Sequence, residues 1–493
     1  MKPGATVELV HAPIAAWAQT RGEQIAVRCG DTTLSFAQLQ QQLMERADAL
    51  TAAHAPASLL VNSAQPLAQR LVEFLGIVAS GRCAVLGDPD WPAAVRATVQ
   101  AGLPTQAAAM PQPQPTTPFY VGYTSGSSGT PKGYRRHHRS WTESFRVCLE
   151  AFGSDAGSCV LAPGRDSHSL FLFGMLLGLW SGAGVVVQEQ FSASAALTTL
   201  RSGQTPCLVA VPSQLLLMLE TARHQTLAPI AAVRLILISG ARWTRNRTAE
   251  LRTLFPRARI IEFYGASETS FIAWMDTDEA APAAVVGWPF ANVELQLRAP
   301  PADSGAALIY VRSPMLFMDY VGGADDATAA LRDGDWICVR DLGHLDAQGR
   351  LCVVGRQNRM LVTLGKNLFP EEVESVLERH PAIASASVHG LGDALRGVQV
   401  VAILRWKQAT AAVSMPSPGE PAGPDALALK AWCRLHLEAF KTPRKFFICT
   451  GWRFTASGKT DHRALAQDLL ATHDTPHDER SPQAAPPCLS TLP

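Results

Sequence analysis

A short apolar strand that leads straight into a loop of small hydroxyl residues and glycines constrains this chain more than any other feature. The apolar residues run from Phe119 to Tyr123, and one lysine, Lys132, stands at the end of the loop. Glycines let backbone N–H groups approach an anion closely, while the hydroxyls and the lysine add donors and positive charge. The pattern predicts a phosphate-binding loop, whose candidate residues are Thr124, Ser125, Gly126, Ser127, Ser128, Gly129, Thr130 and Lys132.

Two other interpretations of this loop are weaker. A Walker loop ends in Gly-Lys-Ser/Thr, whereas Pro131 precedes and Gly133 follows the lysine here. A flexible Ser/Gly linker is the plainer alternative, but linkers seldom emerge from an apolar strand or end in Pro-Lys-Gly.

Length and composition narrow the class of protein. A chain of 493 residues is too long for one compact core, so at least two domains are expected. The net charge of +1, without a basic run beside aromatics, argues against nucleic-acid binding. The ten cysteines form no Cys-x-x-Cys pair and no cluster with histidine, and Met1 to Val10 lacks the apolar core of a signal peptide. We therefore expect reduced thiols, no zinc site and a cytoplasmic location.

One apolar stretch could be mistaken for a membrane span. Leu170 to Val187 carries no charge over 18 residues, but glycines interrupt it. We expect a buried helix, a turn and a buried strand instead, and no membrane span. The basic run from Arg135 to Trp141 is interpreted as the start of a helix with exposed charges, with a role near the phosphates left open for His138 alone.

Strands and helices alternate along the first part of the chain, which predicts an α/β fold. Parallel strands present their turns at the carboxyl edge of a sheet, where ligands bind. Two such turns stand out, Ser239-Gly240-Ala241-Arg242 and Tyr264-Gly265-Ala266-Ser267-Glu268-Thr269.

These motifs, in this order, resemble those of the adenylate-forming superfamily of acyl-CoA synthetases, peptide-synthetase adenylation domains and beetle luciferases. The loop is similar to the family signature, and the second turn is similar to Tyr-Gly-x-Thr-Glu. Further matches are Val339 to Asp346, Gly349 to Arg356, the segment Gln357 to Glu374 and the Gly-Lys loop Thr455 to Arg463. The resemblance extends from about residue 20 to residue 463. It implies a large N-terminal domain of β-sheets layered with helices and a small, mobile α+β domain at the C-terminal end.

The resemblance also implies roles for named residues. ATP and Mg²⁺ are expected, with Ser267 on the α-phosphate and Glu268 holding the metal ion, a hard cation that prefers oxygen ligands. A carboxylate at a strand end suits a ribose diol, which gives Asp341 its role with Arg356 nearby. Besides the loop, the nucleotide-binding candidates are Gly240, Ala241, Arg242, Glu262, Phe263, Tyr264, Gly265, Ser267, Asp341, Arg356 and Lys459.

The carboxylic acid to be activated is expected beside His168. Catalytic roles are assigned to His168, Glu268 and Lys459, and His168 could equally be a structural histidine. The acyl pocket is assigned to His168, Phe171, Phe173, Gly240, Ala241 and Ala266. No acid occurs in Ser169 to Trp180, where adenylation domains for amino acids carry an Asp, so an apolar acyl or aryl acid is favoured.

The small domain is expected to turn about a hinge at Asn358. In the family it brings in the lysine of the Gly-Lys loop, here Lys459, for the first step, and then rotates to admit a thiol past Gly365 and Lys366. Only eight of the 43 basic residues are lysines, yet three stand in these motifs. We assign residues 1–356 to the large domain, 357–471 to the small domain and 472–493 to a disordered tail.

The sequence departs from the family pattern at several positions. Ser267 replaces Thr, Arg340 replaces Gly, Asn358 stands where hinges carry Asp or Lys, and Phe454 and Thr455 replace the usual proline region. Arg340 is expected to alter the exit of its strand.

Three functions compete. A stand-alone carboxylate–CoA ligase, using ATP, Mg²⁺ and CoA, is favoured because no appended carrier domain is recognised. An adenylation enzyme that loads a separate carrier protein or forms an amide has the same motifs. A non-catalytic binding protein is disfavoured, because Lys459, Glu268 and Asp341 are all present.

Overall fold

The computed structural model describes residues 8–124, 131–298, 306–322, 325–363, 366–393, 397–407, 424–455, 459–474 and 489–492. Its contacts divide the chain into two compact units, each discontinuous in sequence. Unit 1 comprises Met1–Glu279, Val286–Gln296 and Tyr310–Val339, and unit 2 comprises Ala280–Val285, Leu297–Ile309 and Arg340–Pro493. The domain boundary expected after Arg356 stays a prediction.

The helices and strands alternate through most of the described chain. The helices are α1 (Pro13–Thr20), α2 (Phe36–Ala52), α3 (Leu67–Ala79), α4 (Ala93–Ala101), α5 (His138–Phe152), α6 (Ser169–Trp180), α7 (Ala193–Arg201), α8 (Pro212–His224), α9 (Thr248–Leu254), α10 (Asp325–Ala329), α11 (Pro370–Glu378), α12 (Ala426–His436) and α13 (His462–Asp474). The strands are β1 (Ile25–Cys29), β2 (Thr32–Ser35), β3 (Ser58–Leu60), β4 (Cys83–Val85), β5 (Pro118–Thr124), β6 (Lys132–His137), β7 (Val160–Ala162), β8 (Val185–Val187), β9 (Cys207–Ala210), β10 (Leu235–Ile238), β11 (Arg259–Ala266), β12 (Ser270–Asp276), β13 (Val285–Pro289), β14 (Glu294–Arg298), β15 (Ala307–Arg312), β16 (Asp319–Tyr320), β17 (Arg332–Asp333), β18 (Trp336–Ile337), β19 (Asp341–Leu345), β20 (Leu351–Arg356), β21 (Leu361–Thr363), β22 (Lys366–Leu368), β23 (Ile383–Asp393), β24 (Gly397–Trp406), β25 (Lys445–Cys449) and β26 (Leu489–Thr491).

The main sheet of unit 1 has a parallel centre. Its strands follow the order β2-β1-β8-β7-β9-β10-β11-β12-β13, and those from β1 to β11 in this order run parallel. Helices α7, α8 and α9 cover it through a buried cluster that includes Leu208, Leu215, Ile236 and Leu251. The α/β fold is thus confirmed, and the carboxyl ends of β10 and β11 carry the two turns singled out in the sequence.

A second sheet of unit 1 carries the residues on both sides of the phosphate loop. Its order is β3-β4-β5-β6-β16, and Thr124 at the end of β5 lies opposite Lys132 at the start of β6. The expected helix start at Arg135 is wrong. Residues up to His137 form β6, because they pair with β5 on one side and β16 on the other, and α5 begins only at His138.

The apolar stretch from Leu170 folds as expected from its glycines. It forms α6, buried along almost its whole length, then a turn and strand β8. Among the described residues, no helix combines the length and apolar character needed to cross a bilayer.

Unit 2 contains a four-stranded sheet in the order β23-β24-β25-β26. Helices α11 and α12 pack on it, and α11 begins with Pro370 and two glutamates in its first turn, as expected. The expectation of a wholly disordered tail from residue 472 is wrong at two places. Helix α13 continues to Asp474, and Leu489, which is buried, leads β26 into pairing with β25, while residues 475–488 lie outside the described residues.

Candidate active site

The turn between β11 and β12 is closely packed and held by its own hydrogen bonds. A Cβ atom on Gly265 would lie 1.9 Å from the carbonyl oxygen of Ser270, so only glycine fits there. The backbone N–H of Thr269 donates to the carbonyl of Ala266, and the Thr269 hydroxyl accepts from the Ala266 N–H. Ser270 then takes a left-handed conformation with φ of 57°. These contacts fix the segment that presents Ser267 and Glu268.

Glu268 is held from the segment that contains β16. The hydroxyl of Tyr320 donates to its Oε1 over 2.7 Å, and the N–H of Phe317 donates to its carbonyl oxygen over 2.8 Å. The ammonium of Lys132 stands 5.6 Å from the centre of the Tyr320 ring, within cation–π range. Tyr320 therefore contacts both the predicted metal ligand and the predicted phosphate-binding lysine.

The carboxylate of Glu268 suits Mg²⁺ bound together with a nucleotide. Mg²⁺ usually takes one or two carboxylates plus substrate phosphates and waters rather than a cage made by protein alone. Within the described ranges, no group of three or more His, Cys, Asp or Glu side chains converges as such a cage. The chemistry of this donor set therefore fits a metal ion that arrives with ATP.

A buried arginine joins the strand after the phosphate loop to this turn. The guanidinium of Arg136 is 2% exposed and donates to five oxygens. These are the carbonyls of Ser267 and Met315, each at 2.7 Å, the hydroxyl of Ser270, and the hydroxyl and carbonyl of Ser140. Every acceptor is neutral, so the charge of Arg136 is held inside the site without a carboxylate among these partners.

Two buried tyrosines lie beneath the same strands. Their hydroxyls, on Tyr120 and Tyr134, are 3.0 Å apart, and Gly122 leaves room for them because a Cβ there would clash with both. Burial raises the pKa of both phenols and lowers the pKa of Arg136 to about 10. At neutral pH the arginine is therefore charged and the phenols are neutral.

His168 lies at the N-terminal end of α6, after a loop tied down by ion pairs. Arg70 binds Asp166 through two hydrogen bonds of 2.9 and 3.0 Å, and Arg165 binds Asp88 over 2.8 Å. The ring of His168 lies 5.2 Å from that of Phe171. This rigid support is consistent with His168 beside the carboxylic acid and equally with a structural histidine.

The other residues assigned to the acyl pocket differ in surroundings. Phe173 is 5% exposed and packs with Trp141, Phe145 and Phe271 in an aromatic cluster. Gly240 follows β10 with φ of 87°, which favours glycine, and Ala241 beyond it is exposed. Ala266 ends β11 and is half-buried. Their role as a pocket stays a prediction.

The two residues before Tyr264 have structural partners. Glu262 forms a buried two-bond ion pair with Arg245, at 2.8 and 3.0 Å, and the ring of Phe263 packs 4.7 Å from that of Phe271. The carboxylate of Glu262 is thus already bound to a cation. This contact favours a structural role over the predicted nucleotide contact.

Unit 2 brings together the pair predicted for the ribose. Asp341 and Arg356 lie opposite each other on β19 and β20, and the Arg356 Nε donates to the Asp341 carboxylate over 3.1 Å. Asp341 is buried, whereas the arginine side chain is 59% exposed. Arg340, just before this strand, has φ of 66°, the conformation that glycine favours. The backbone thus retains the glycine-like geometry despite the substitution noted in the sequence.

The residues assigned to the moving parts also lie in unit 2. Lys459 exchanges backbone contacts with Thr455, whose hydroxyl accepts from the Lys459 N–H over 3.2 Å. Asn358 is exposed in a short 3-10 helix, and the Lys366 ammonium lies 4.9 Å from the Phe440 ring centre. Gly365 and the loop residues Ser125, Gly126, Ser127, Ser128, Gly129 and Thr130 lie outside the described residues.

Sequence reasoning missed two residues of the site, Tyr320 and Arg136. Arg136 could have been found by treating the residues after Lys132 as a strand, since Tyr134 and Arg136 then point to the same face. No local sequence pattern marks Tyr320, because only its pairing opposite Tyr134 on β6 brings it to the site.

Comparisons with known proteins identify the family to which this chain belongs. Residues 52–321 match the AMP-binding enzyme family, and residues 372–459 match the AMP-binding enzyme C-terminal domain. The uncharacterized acyl–CoA ligase YhfT of Bacillus subtilis (strain 168) is 34% identical over 364 residues, which cover 72% of this chain and 70% of YhfT. The chain therefore belongs to the AMP-binding enzyme family.

Solved structures share the fold at lower identity. The o-succinylbenzoate CoA synthetase MenE from Bacillus subtilis, in complex with the acyl-adenylate OSB-AMP, has a TM-score of 0.76 at 23% identity, over 92% of this chain and 97% of MenE. MenE has also been solved with ATP and a magnesium ion. The anthranilate CoA ligase AuaEII, in complex with anthranoyl-AMP, has a TM-score of 0.80 at 18% identity, over 94% and 98% of the two chains.

Proposed function

We propose that this protein is an AMP-forming carboxylate–CoA ligase acting on an apolar acyl or aryl acid. The observation that carries the proposal is the turn at Gly265, which presents Ser267 and Glu268 and is fixed by Arg136 and Tyr320. Family membership and the acyl–CoA ligase relative support the same reaction.

In the first step, a carboxylate oxygen of the acid attacks the α-phosphorus of ATP and pyrophosphate leaves. The product is an acyl-adenylate, whose leaving group, AMP, is far better than oxide. Ser267 and the loop hydroxyls bind phosphate oxygens, and Lys132 and Lys459 offset the charge that builds up at phosphorus. Mg²⁺ held on Glu268 supplies further charge neutralisation when bound. Asp341 and Arg356 bind the ribose.

In the second step, the thiol of CoA loses its proton to water, its sulfur attacks the acyl carbon, and the bond from that carbon to AMP breaks as the thioester forms. Lys459 has no part in this step if the small domain turns about Asn358 and removes it. Gly365 and Lys366 then border the path of the thiol. Adenylate formation therefore needs Lys459, whereas thioester formation does not, and a variant of Lys459 can test this difference.

The nature of the acid follows from the apolar character of α6. Its described side chains from Leu170 to Leu179 are buried and include no acid that could receive an amine. MenE and AuaEII, two structural neighbours, are named for aryl acids. An apolar acyl or aryl acid is therefore favoured over an α-amino acid. A cytoplasmic location stays a prediction.

CoA has two rivals as the acceptor of the acyl group. A separate carrier protein, or an amine, could take the acyl group from the same adenylate. The relatives and neighbours reported above are named as CoA ligases or synthetases, which favours CoA.

The first experiment measures pyrophosphate release with ATP, Mg²⁺ and a panel of short, medium, long and aromatic carboxylates, with and without CoA. One acid class that turns over only with CoA supports the ligase. Adenylate formation that CoA leaves unchanged points to another acceptor. No pyrophosphate release with any acid would contradict the proposal.

Two variants sharpen this test. Glu268→Gln is expected to lose pyrophosphate release by several powers of ten, whereas the exposed Glu220→Gln is expected to match the unmodified enzyme. Lys459→Ala is expected to lose adenylate formation while still passing a preformed adenylate to CoA, with the exposed Lys445→Ala as its control. If Lys459→Ala lost both steps equally, Lys459 would be needed in the second step as well, and the proposed rotation that removes it would be excluded.

A further inference from the structure

A buried carboxylate in unit 2 joins the predicted hinge to the segment that carries Lys459. Glu374, on α11, is 7% exposed. Its carboxylate accepts from the guanidinium of Arg359 at 2.6 and 3.3 Å and from the backbone N–H of Val388 at 2.8 Å. The imidazole Nδ1 of His462 lies 3.5 Å from the same carboxylate. Glu374 thus stands at the centre of contacts from three separate parts of the unit.

His462 is held on its other side by β23. Its Nδ1 lies 2.8 Å from the hydroxyl of Ser387, which in turn lies 2.7 Å from Nε2 of His389. The Ser387 hydroxyl is fully buried, and both it and Glu374 face the same imidazole nitrogen. This arrangement cannot relay a proton from serine to carboxylate through the ring, so the cluster is a support rather than a nucleophilic site.

These residues connect the predicted hinge with the segment that carries Lys459. Arg359 directly follows Asn358, the predicted hinge, and His462 is the first residue of α13, three residues after Lys459. On the other side of Lys459, Thr455 pairs with it through the backbone, and Phe454 bridges Thr460. The Asp461 side chain then caps α13 by accepting from the Ala464 N–H over 3.0 Å. The chain around Lys459 is therefore held on both sides, by the Thr455 bridge before it and by the capped start of α13 after it.

We infer that Glu374 and His462 are positioning residues for Lys459, and that Arg359 links them to the hinge. The inference rests on the proposed function, in which Lys459 serves adenylate formation alone. Glu374 binds the guanidinium of Arg359, which lies 3.4 Å from the imidazole Nδ1 of His462, so Glu374 acts on the imidazole through Arg359. The imidazole in turn fixes the first turn of α13, and that turn sets where the ammonium of Lys459 can reach. Because Arg359 binds the same carboxylate, a rotation about Asn358 carries the Lys459 segment with α11 as one piece.

His462→Ala tests this inference with little risk to the fold, because the ion pair between Arg359 and Glu374 remains. We expect adenylate formation, measured by pyrophosphate release, to fall 10- to 100-fold. Transfer of a chemically prepared acyl-adenylate to CoA is expected to stay within about 2-fold of the unmodified enzyme. The matched control is His436→Ala, an exposed histidine at the end of α12, which is expected to change neither step.

The decisive readout is the double variant His462→Ala, Lys459→Ala. If His462 acts through the lysine, its removal causes no further loss once Lys459 is gone. Independent, multiplied losses in the double variant would overturn the inference, and so would an equal loss of both half-reactions in His462→Ala. Glu374→Gln, which keeps the size of the side chain, is expected to repeat the pattern of His462→Ala if it folds.

Failure of the inference differs from failure of the proposed function. If the unmodified enzyme releases no pyrophosphate with any acid, or if Lys459→Ala retains full activity, the proposed function or the role of Lys459 is wrong. If Lys459→Ala is inactive in adenylation while His462→Ala is fully active, only the positioning role is wrong.

Discussion

The guanidinium of Arg136 donates a 2.7 Å hydrogen bond to the carbonyl oxygen of Ser267, 131 residues away in the chain. This contact ties the strand that leaves the phosphate loop to the turn that carries the predicted phosphate and metal ligands. Because the same guanidinium binds the carbonyl of Met315, three segments depend on one side chain.

Arg136→Met is expected to lower the affinity for ATP more than that for the acid. The change leaves the buried carbonyls of Ser267 and Met315 without a donor, at a cost of about 1–3 kcal/mol each. We expect KM for ATP to rise at least about tenfold, with partial recovery in Arg136→Lys, which retains the charge. Steady-state kinetics with each substrate varied measures this. The exposed Arg139→Met is the control, and equal rises in both KM values would contradict the prediction.

Tyr320→Phe is expected to raise the Mg²⁺ concentration needed for half-maximal pyrophosphate release. The variant removes the hydroxyl that orients the Glu268 carboxylate but keeps the ring that Lys132 faces. One hydrogen bond to a charged group contributes about 1.5–3 kcal/mol, so a shift of roughly tenfold or more is expected. Titration with Mg²⁺ at fixed ATP tests this, with Tyr310→Phe as the comparison. An unchanged Mg²⁺ requirement would show that the hydroxyl does not act on Glu268.

Arg340→Gly is expected to raise the free energy of unfolding by about 1 kcal/mol. A left-handed backbone costs a residue with a Cβ about 1–2 kcal/mol, and glycine avoids much of this strain. Arg340→Ala separates the effects, because it removes the guanidinium yet keeps the Cβ. Thermal unfolding of the three proteins should rank glycine above alanine, and the opposite ranking would exclude backbone strain as the cause.

Stability is expected to fall as the pH drops from about 6.5 towards 4. Burial lowers the pKa of His138 to about 3 and that of His389 to about 4, from an ordinary value near 6.5. Between these values the unfolded chain binds protons that the folded chain does not, so acid favours unfolding. Burial favours a higher pKa for Glu374, but the charges of Arg359 and His462 and the hydrogen bonds from Arg359 and Val388 together outweigh burial, so the pKa is lowered. This carboxylate therefore also loses stabilisation in acid, below its ordinary pKa.

Melting temperatures from pH 8 to 4.5 test this expectation. His389→Gln removes one of the titrating groups, and the glutamine amide can still form a hydrogen bond with Ser387. The melting temperature of the variant should therefore depend less on pH than that of the unmodified protein. A steeper dependence in the variant would contradict the assignment to His389.

The sequence predicted those parts of the site whose chemistry is local. The apolar strand before the phosphate loop, the Gly265 turn and the pairing of Asp341 with Arg356 each depend on a few neighbouring residues or on the period of a strand. The phosphate-binding role of the loop itself stays a prediction. Arg340 was also recognised at a position where the family carries glycine, and its positive φ shows why glycine suits that position. The expected change in the exit of its strand stays a prediction.

The parts that escaped prediction depend on distant segments. Arg136 stands in a run of basic residues that suggests an exposed helix start. It is buried only because Ser267, Ser270 and Met315 surround it. The role of His462 likewise follows from Glu374 and Ser387, which are 88 and 75 residues away, and no local pattern marks it.

Tyr320 contacts Lys132 with its ring and Glu268 with its hydroxyl, which has a thermodynamic consequence. If a phosphate draws Lys132 away from the ring, we expect the hydrogen bond from Tyr320 to Glu268 to change. If a metal ion turns Glu268, we expect the position of the Tyr320 ring beside Lys132 to change. Coupling of this kind is reciprocal, so each ligand must alter the affinity for the other by the same factor. Through a single phenol, we therefore expect the nucleotide and the metal ion to be cooperative ligands of this protein.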